Sequence, residues 1–143
     1  MEITEEVLKK YKNIALVGAS KDLKKTSTVV MKYLQDYGFK VYPVNPSMKG
    51  ESILGEKVFG NILEIDGPVE IVDVFRPSNE AAEIAKDTIK VNAKVLWLQL
   101  EIRNVEAKKI VETNNIIYIE NKCTKIEYEK FFLKDVTKIA NNI

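Results

Sequence analysis

Short apolar runs rich in β-branched residues alternate with longer amphipathic segments along the chain. Five of these runs have the character of strands, at residues 14–17, 39–42, 71–75, 95–98 and 116–119. They are almost continuously apolar, as expected for strands that are buried on both faces. Strands that alternate with helices form parallel sheets with right-handed crossovers. The sequence therefore predicts an α/β fold with a doubly wound, mostly parallel, five- to six-stranded Rossmann-like sheet and helices on both faces.

The segment between the first two runs has the spacing of an amphipathic helix. Val30, Tyr33, Leu34 and Tyr37 lie on one side of such a helix, and Gly38 follows where a helix is often capped. Other amphipathic segments are preceded by residues suited to N-terminal capping: Ser78, Asn104, and a capping box of Thr124 with Glu127. Residues 46–69 are less regular, and we predict only a short strand at 58–59 and a helical turn at 62–65.

Composition limits the size and the chemistry of the protein. At 143 residues the chain is expected to form a single domain, residues 1–143. It has 22 basic and 21 acidic residues and so lacks the basic excess typical of nucleic-acid binding; no nucleic acid is expected as a partner. It has no histidine, the usual general base and commonest metal ligand, and we expect no metal site.

Two further features concern the compartment. No apolar run reaches the length of a membrane-spanning helix, and the acidic first residues do not resemble a secretory signal. The single cysteine, Cys123, cannot form a disulfide within the chain, which fits a reducing environment. We therefore expect a cytoplasmic protein that does not bind membranes.

The turn after the first strand has the composition of an anion site. In an open parallel sheet, ligands bind at the carboxyl ends of the strands. This turn offers small residues at Gly18 and Ala19, hydroxyls at Ser20, Thr26, Ser27 and Thr28, and positive charge at Lys21, Lys24 and Lys25. Small residues leave backbone N–H groups accessible, and the following helix N-terminus adds its own donors and positive dipole. The turn is either a diphosphate cradle or an ordinary connection in which Thr26 or Ser27 caps the helix.

The next two strand ends also carry candidate ligand contacts. The second reads Pro43, Val44, Asn45 and Pro46, and the third reads Phe75, Arg76 and Pro77. The two prolines of the second stiffen the backbone into either a ledge beside an adenine or a rigid turn. The arginine of the third either stacks on a base and grips a phosphate, or lies solvated on the surface.

The fourth strand and the last helix contribute three more candidates. Trp97 is expected to pack in the core, which leaves Gln99 as the better ligand contact on that strand. Cys123 precedes the last helix, where a helix dipole can favour a thiolate. Without a base near it in the sequence, we expect it to be an inert cysteine.

The first turn lacks the complete dinucleotide fingerprint. That fingerprint has three glycines and an acidic residue about 20 positions later that binds a ribose diol. Here only Gly18 is present, and Asn45 stands at the end of the second strand in place of a carboxylate. An NAD(P)-binding Rossmann protein or redox sensor is therefore the weaker alternative.

Taken together, these segments resemble the family of stand-alone CoA-binding domain proteins. The resemblance covers about residues 12–130 and rests on Gly18-Ala19-Ser20, Ser27, Pro43-Val44-Asn45-Pro46, Gly50, Gly55, Val72-Asp73-Val74-Phe75-Arg76, Trp97-Leu98-Gln99 and Cys123. The pattern is also similar, more distantly, to the N-terminal domain of the succinyl-CoA synthetase α-subunit and to acetate–CoA ligases. It departs from the family at Leu100, where a glycine is common. The stretch between Ser20 and Ser27 also lacks an arginine that relatives often carry, for which either Lys24 or Lys25 is the substitute.

The resemblance implies that coenzyme A or an acyl-CoA lies across the strand ends. The diphosphate would lie at Gly18, Ala19, Ser20 and Ser27 with Lys25 beside it, the adenosine at Val44, Asn45 and Pro46, and the rest of the ligand along Phe75, Arg76, Pro77 and Gln99. The synthetases use a histidine on a separate domain, and this chain has no histidine. The resemblance therefore implies ligand binding without self-sufficient ligase activity.

Three functions are compatible with this sequence. The first is a CoA-binding protein that acts alone, as a homodimer or beside a protein partner. The second is NAD(P) binding, which a preference for NAD over CoA would reveal. The third is an enzyme that acts on a thioester through Asp73, Arg76 or Cys123, and it has the least support.

Overall fold

The computed structural model describes residues 1–133 of the chain. Its helices and strands are α1 (Ile3–Lys10), β1 (Asn13–Val17), α2 (Thr26–Asp36), β2 (Lys40–Val44), β3 (Ser52–Ile53), β4 (Glu56–Lys57), β5 (Ile71–Val74), α3 (Ala81–Lys90), β6 (Val95–Leu98), α4 (Val105–Thr113), β7 (Ile117–Ile119) and α5 (Thr124–Tyr128). Short 3₁₀ helices lie at Pro46–Met48, Ile62–Glu64 and Ser78–Glu80, and a π-helical turn, Glu129–Leu133, follows α5. None of the helices in this part of the chain has the length and apolar character needed to traverse a lipid bilayer.

Five strands form one parallel sheet in the order β2-β1-β5-β6-β7. The chain winds from β1 through α2 to β2 at one edge, and then returns to β5 and winds through α3 and α4 to the other edge. The predicted doubly wound, Rossmann-like α/β fold is therefore confirmed. The direction of winding changes between β1 and β5, and such a switch point opens a crevice at the carboxyl ends of the strands.

Each face of the sheet is covered by its own helices. Ile71 packs with residues of α1, α2 and α5, whereas its neighbour Val72 points to the other face and packs against α3 and α4. Trp97 is fully buried in the first of these cores, as predicted, and its indole N–H donates to the carbonyl oxygen of Lys122 at 2.9 Å. Burial on both faces explains why the strands are continuous apolar runs.

The edge position of β2 accommodates a proline. The strand begins one residue later than predicted and continues through Pro43, which lacks a backbone donor and is tolerated in a strand at the edge of a sheet. The strand predicted at 58–59 is reduced to one bridge between Val44 and Phe59, and the turn predicted at 62–65 is the 3₁₀ helix Ile62–Glu64. The hairpin of β3 and β4 was not predicted.

Two of the predicted helix starts show how tertiary contacts decide a cap. Asn104 caps α4 as predicted, because its side-chain oxygen accepts a hydrogen bond from the Ala107 N–H at 2.8 Å. Ser78 does not cap α3, since a 3₁₀ turn separates it from that helix. Its hydroxyl oxygen instead accepts a hydrogen bond from the Arg103 N–H at 3.1 Å.

The predicted capping box of α5 is also wrong. The hydroxyl of Thr124 donates to Asp73 on β5, and the carboxylate of Glu127 accepts a hydrogen bond from the hydroxyl of Thr4 on α1. Both side chains are buried, so each hydrogen bond satisfies a polar group that would otherwise be desolvated without a partner. These contacts fasten α5 to the first face of the sheet.

Candidate functional site

A groove of about 750 Å³ opens at the carboxyl ends of β1, β2 and β5, beside the N-terminus of α2. Most of the residues predicted to bind a ligand line it, namely Gly18, Ala19, Ser20, Lys25, Ser27, Val44, Asn45, Pro46, Phe75 and Arg76. The other two, Pro77 and Gln99, are not part of its lining. The groove occupies the switch point of the sheet, where open α/β folds bind their ligands.

The turn after β1 is fastened to β2 through its backbone. The N–H groups of Gly18 and Ala19 both donate to the carbonyl oxygen of Val44, at 3.0 and 3.2 Å. The prediction that the small-residue turn directs its N–H groups toward a ligand is therefore wrong for these two residues. Their amides hold the floor of the groove together.

The donors that are left for a ligand lie on Ser20 and in the first turn of α2. The N–H groups of Ser20, Thr26 and Ser27 have no hydrogen-bond acceptor within residues 1–133. The cap position of α2 is Lys25, which makes no side-chain capping bond, and the first turn contains no acidic residue. The positive end of the helix is therefore not neutralised locally. The alternative interpretation, in which Thr26 or Ser27 caps α2, is therefore wrong.

A lysine occupies the cap position of α2, next to these donors in the sequence. Lys25 lines the groove and forms no ion pair with any described carboxylate, whereas Lys21 in the same loop pairs with Glu51 at 3.1 Å. Ser27 also lines the groove and is buried. Unpaired N–H groups at a helix N-terminus together with an unpaired ammonium favour a phosphate group.

Asn45 connects the first two strand ends. Its Nδ2 donates to the carbonyl oxygen of Ala19 at 2.9 Å, and its Oδ1 accepts hydrogen bonds from the backbone N–H and the hydroxyl of Ser47 at 2.9 and 2.7 Å. The stiff segment predicted from Pro43 and Pro46 is thus also held by side-chain hydrogen bonds. This gives the groove a wall that does not depend on a ligand for its shape.

The end of β5 packs directly against the turn after β1. Gly18 has φ +95°, and a Cβ at this position would lie 2.7 Å from the carbonyl oxygen of Phe75 and 3.1 Å from Cδ of Arg76. Only glycine fits both the backbone angle and this space. The Arg76 guanidinium forms an ion pair within the protein, because Nε and Nη2 donate to the Glu80 carboxylate at 3.2 and 2.7 Å. This interaction raises the pKa of Arg76.

Part of the groove lining was not predicted from the sequence, namely Gly60, Asn61, Ile62, Glu80, Ile84 and Asp87. The loop residues come from the irregular stretch 46–69, whose path no hydrophobic period reveals. Glu80 did have a signal in the sequence. It follows Arg76 by four residues, the spacing of an ion pair along a helical segment.

Gln99 belongs to a buried network instead of the groove. Its Nε2 donates to Oδ1 of Asp73 and, at 3.1 Å, to the hydroxyl oxygen of Thr124. The Thr124 hydroxyl donates to the other Asp73 oxygen, also at 3.1 Å. Burial raises the pKa of Asp73 to about 7, although the hydrogen bonds from Gln99 and Thr124 oppose this shift. The network joins β5, β6 and α5, and it places Asp73 out of reach of a substrate in the groove.

Cys123 lies at the start of α5 and is 7% exposed. Burial raises the pKa of its thiol above the ordinary value, so little thiolate forms at neutral pH. We expect the native protein to react with a disulfide reagent at least about tenfold more slowly than the chain in concentrated urea, as followed by thiol titration. Equal rates would show that Cys123 is accessible and would revive the thioester-acting alternative.

The arrangement is suited to holding an anionic ligand. Residues of the turn, of α2 and of the segment after β5 bring backbone donors and positive charge to the groove, and Ile84, Glu80 and Asp87 add apolar and acidic side chains to its lining. Within residues 1–133, no three His, Cys, Asp or Glu side chains come together as metal ligands. The unpaired N–H groups of Ser20, Thr26 and Ser27 fit a diphosphate at the N-terminus of α2.

Comparisons with known proteins show the family to which this fold belongs. The chain is 36% identical over 124 residues to the Bacillus subtilis protein YneT, covering 87% of this chain and 90% of YneT. A solved structure of a Pyrococcus horikoshii protein superposes with a TM-score of 0.85 at 38% identity and covers 89% of this chain and 88% of the other. An ADP-forming acetate–CoA ligase from Methanocaldococcus jannaschii is 29% identical over 83 residues, which are 58% of this chain but 12% of the ligase.

The family model described as a CoA binding domain matches residues 12–129, close to the limits of the resemblance seen in the sequence. All of the groove residues fall within this range. The chain therefore belongs to the CoA-binding domain family.

Proposed function

We propose that the protein binds coenzyme A or an acyl-CoA in the groove at the end of β1. The observation that supports this most is the set of unpaired N–H groups of Ser20, Thr26 and Ser27 next to the Lys25 ammonium, in a chain of the CoA-binding domain family. CoA contains a diphosphate, whose oxygens accept hydrogen bonds from such donors. The diphosphate is therefore assigned to the N-terminus of α2.

The adenosine is assigned to the wall formed by Val44, Asn45 and Pro46. This segment offers an apolar side chain and a proline ring next to a rigid polar group, which suits the flat face and polar edge of a base. Its hydrogen bonds within the protein fix its shape before a ligand arrives. A preformed wall lowers the ordering cost of binding.

We propose that binding occurs without a self-sufficient ligase reaction. The ligase relative is much longer than this chain, which spans 12% of it, and the chain has no histidine. We further propose that residues 1–143 form one domain and that the protein works in the cytoplasm. A buried free thiol such as Cys123 stays reduced there.

Calorimetric titration with CoA, acetyl-CoA, NAD and ADP tests the proposal. We expect CoA or acetyl-CoA to bind more tightly than NAD, because Asn45 stands where a ribose-binding carboxylate would favour NAD. Lys25→Glu should weaken CoA binding by about tenfold or more, since it reverses a charge beside the diphosphate. Ser27→Glu tests the same position from the helix, provided that circular dichroism shows the variant to be folded.

Lys24→Glu provides the matched control, because Lys24 lies in the same loop, carries the same charge and does not line the groove. It should weaken binding much less than Lys25→Glu. Equal effects of the two variants would mean that only the net charge matters and would remove the assignment of the diphosphate. Preferential binding of NAD would favour the dinucleotide alternative, and no binding of any ligand would refute the proposed function.

A further inference from the structure

Arg76 and Glu80 form an ion pair inside the groove, and both side chains line it. We propose that Glu80 is an internal competitor, which occupies Arg76 until a phosphate group of the ligand displaces it. The inference rests on the proposed function and adds to it a residue that determines specificity. It predicts that removing the Glu80 charge strengthens the binding of a polyphosphate ligand.

The position of Arg76 puts it within the phosphate-binding part of the groove. Its Cδ lies against Gly18, close enough that a Cβ on that glycine would be 3.1 Å from it. Its Nε and Nη2 form the side-on pair of donors, one of the two edges by which a guanidinium binds carboxylates and phosphates in a bidentate manner, and Glu80 occupies this pair. A ligand phosphate at the turn after β1 therefore meets an arginine whose side-on pair of donors is already in use.

The ion pair is of a kind that a phosphate can exchange. Its side chains are 47% and 43% exposed, and ion pairs in such surroundings contribute little net stability. Glu80 also directly precedes α3, so after release its charge still lies next to the positive end of that helix. Both partners thus keep a favourable interaction when the pair opens, Arg76 with phosphate and Glu80 with the helix.

Lys25 provides the contrast within the same groove. It has no described carboxylate partner, so its charge is available to any anion that enters. The side-on edge of Arg76 becomes available only to a group that outcompetes Glu80. A ligand with several phosphate groups therefore interacts with both Lys25 and Arg76, whereas a small anion such as inorganic phosphate interacts with Lys25 alone. The geometry of the pair thus makes the groove selective for the more highly charged ligand.

A double-mutant cycle tests the inference. The proteins are the wild type, Glu80→Gln, Arg76→Met and the double variant, titrated calorimetrically with CoA at one ionic strength. Methionine keeps an apolar stem against Gly18 and removes the donors. We expect Glu80→Gln to bind CoA about threefold to tenfold more tightly than the wild type, and the same substitution to have little effect in the Arg76→Met background.

The control is Glu83→Gln, which removes another exposed carboxylate of α3 that pairs with Lys86 and does not line the groove. It should leave CoA affinity unchanged. Weaker binding by Glu80→Gln would overturn the inference, because Glu80 would then orient Arg76 for the ligand. An equal gain in both Arg76 backgrounds would overturn it too, since Glu80 would act by general repulsion. If the wild type binds CoA and Glu80→Gln is unaltered, only this inference fails; if neither binds CoA, the proposed function fails with it.

Discussion

Replacing Asp73 by asparagine is expected to abolish a loss of stability that the wild type suffers as the pH rises from 5 to 8. Asp73 is completely buried on β5, and burial raises its pKa from 3.8 to about 7. Its two hydrogen-bond donors are the neutral groups of Gln99 and Thr124. No cation among residues 1–133 pairs with it, so the carboxylate form is the costly one in the folded protein.

The sign of the effect follows from the proton balance. Between pH 3.8 and about 7 the folded protein retains a proton on Asp73 that the unfolded chain has lost. The stabilisation is therefore fully present below the unfolded pKa and is lost as the pH rises through the folded pKa. Between pH 5 and 8 the free energy of unfolding should fall by about 3 kcal/mol. At pH 8 the Asp73→Asn variant should be more stable than the wild type by about 2 kcal/mol, after a small loss in hydrogen bonding.

Urea unfolding at several pH values, followed by the fluorescence of the single tryptophan, measures this effect. Trp97 is fully buried and should report global unfolding. Asp36→Asn is the control, because Asp36 is exposed and pairs only with Lys32 along α2. It should retain the pH dependence of the wild type. A wild-type stability that stays constant or rises from pH 5 to 8 would show that Asp73 ionises normally in the folded protein.

The Gly18→Ala substitution is expected to lower the free energy of unfolding by about 3 kcal/mol and to weaken ligand binding. The backbone angle φ of +95° strains any residue with a Cβ, and the methyl group would lie 2.7 Å from the Phe75 carbonyl oxygen. Either the turn or the end of β5 must move. Both carry residues that line the groove, so the change in stability and the loss of affinity have one cause.

Gly38→Ala separates the effect of backbone strain from the effect of a steric clash. Gly38 has φ +91°, but a Cβ there has no heavy atom within 4 Å, and it lies at the far end of α2 from the groove. This variant should lose only about 1–2 kcal/mol and should bind CoA as the wild type does. Urea unfolding and calorimetry on both variants provide the comparison. Unchanged CoA affinity in folded Gly18→Ala would mean that the ligand does not depend on this turn.

The Gly18→Ala and Asp73→Asn substitutions affect different positions along the strands of the same sheet. Gly18 lies where β1 ends and determines how closely β5 approaches, whereas Asp73 lies inside β5, two residues before Phe75. We expect Asp73→Asn to change stability with little effect on CoA affinity, because the carboxyl group points into the core with Gln99 and Thr124. A joint loss of affinity would show that the buried network also supports the groove.

The groove could be located from the sequence because its position follows from periodicity. Apolar runs reveal the strands, and in a parallel sheet all the strand ends lie at one edge. Gly18, Ser27 and Arg76 therefore had to lie near each other if the strands were identified correctly. The same inference was wrong for Gln99, because alternation along β6 puts it on the face of Asp73, where α5 covers it.

The polar contacts within the groove were less predictable from the sequence. The amides of Gly18 and Ala19 were expected to face a ligand, but Val44 accepts both. Asn61 and Asp87 come from distant parts of the chain and meet only when the loop 60–62 folds over α3. The capping prediction failed at Thr124 for a similar reason. The Thr124 hydroxyl donates to Asp73, a buried acceptor that no local sequence pattern reveals.

The five strands of the parallel sheet, the helices between them, the burial of the sheet on both faces and the edge at which ligands bind can all be read from the amino-acid sequence. These depend on hydrophobic period and on turn residues, which act over a few positions along the chain. The folded chain was needed to show which donors remain unpaired at α2, that Glu80 occupies Arg76, and that Asp73 is buried with Gln99 and Thr124. A hydrogen bond or an ion pair depends on distances of about 3 Å between residues remote in sequence, and only packing of the whole chain sets such distances.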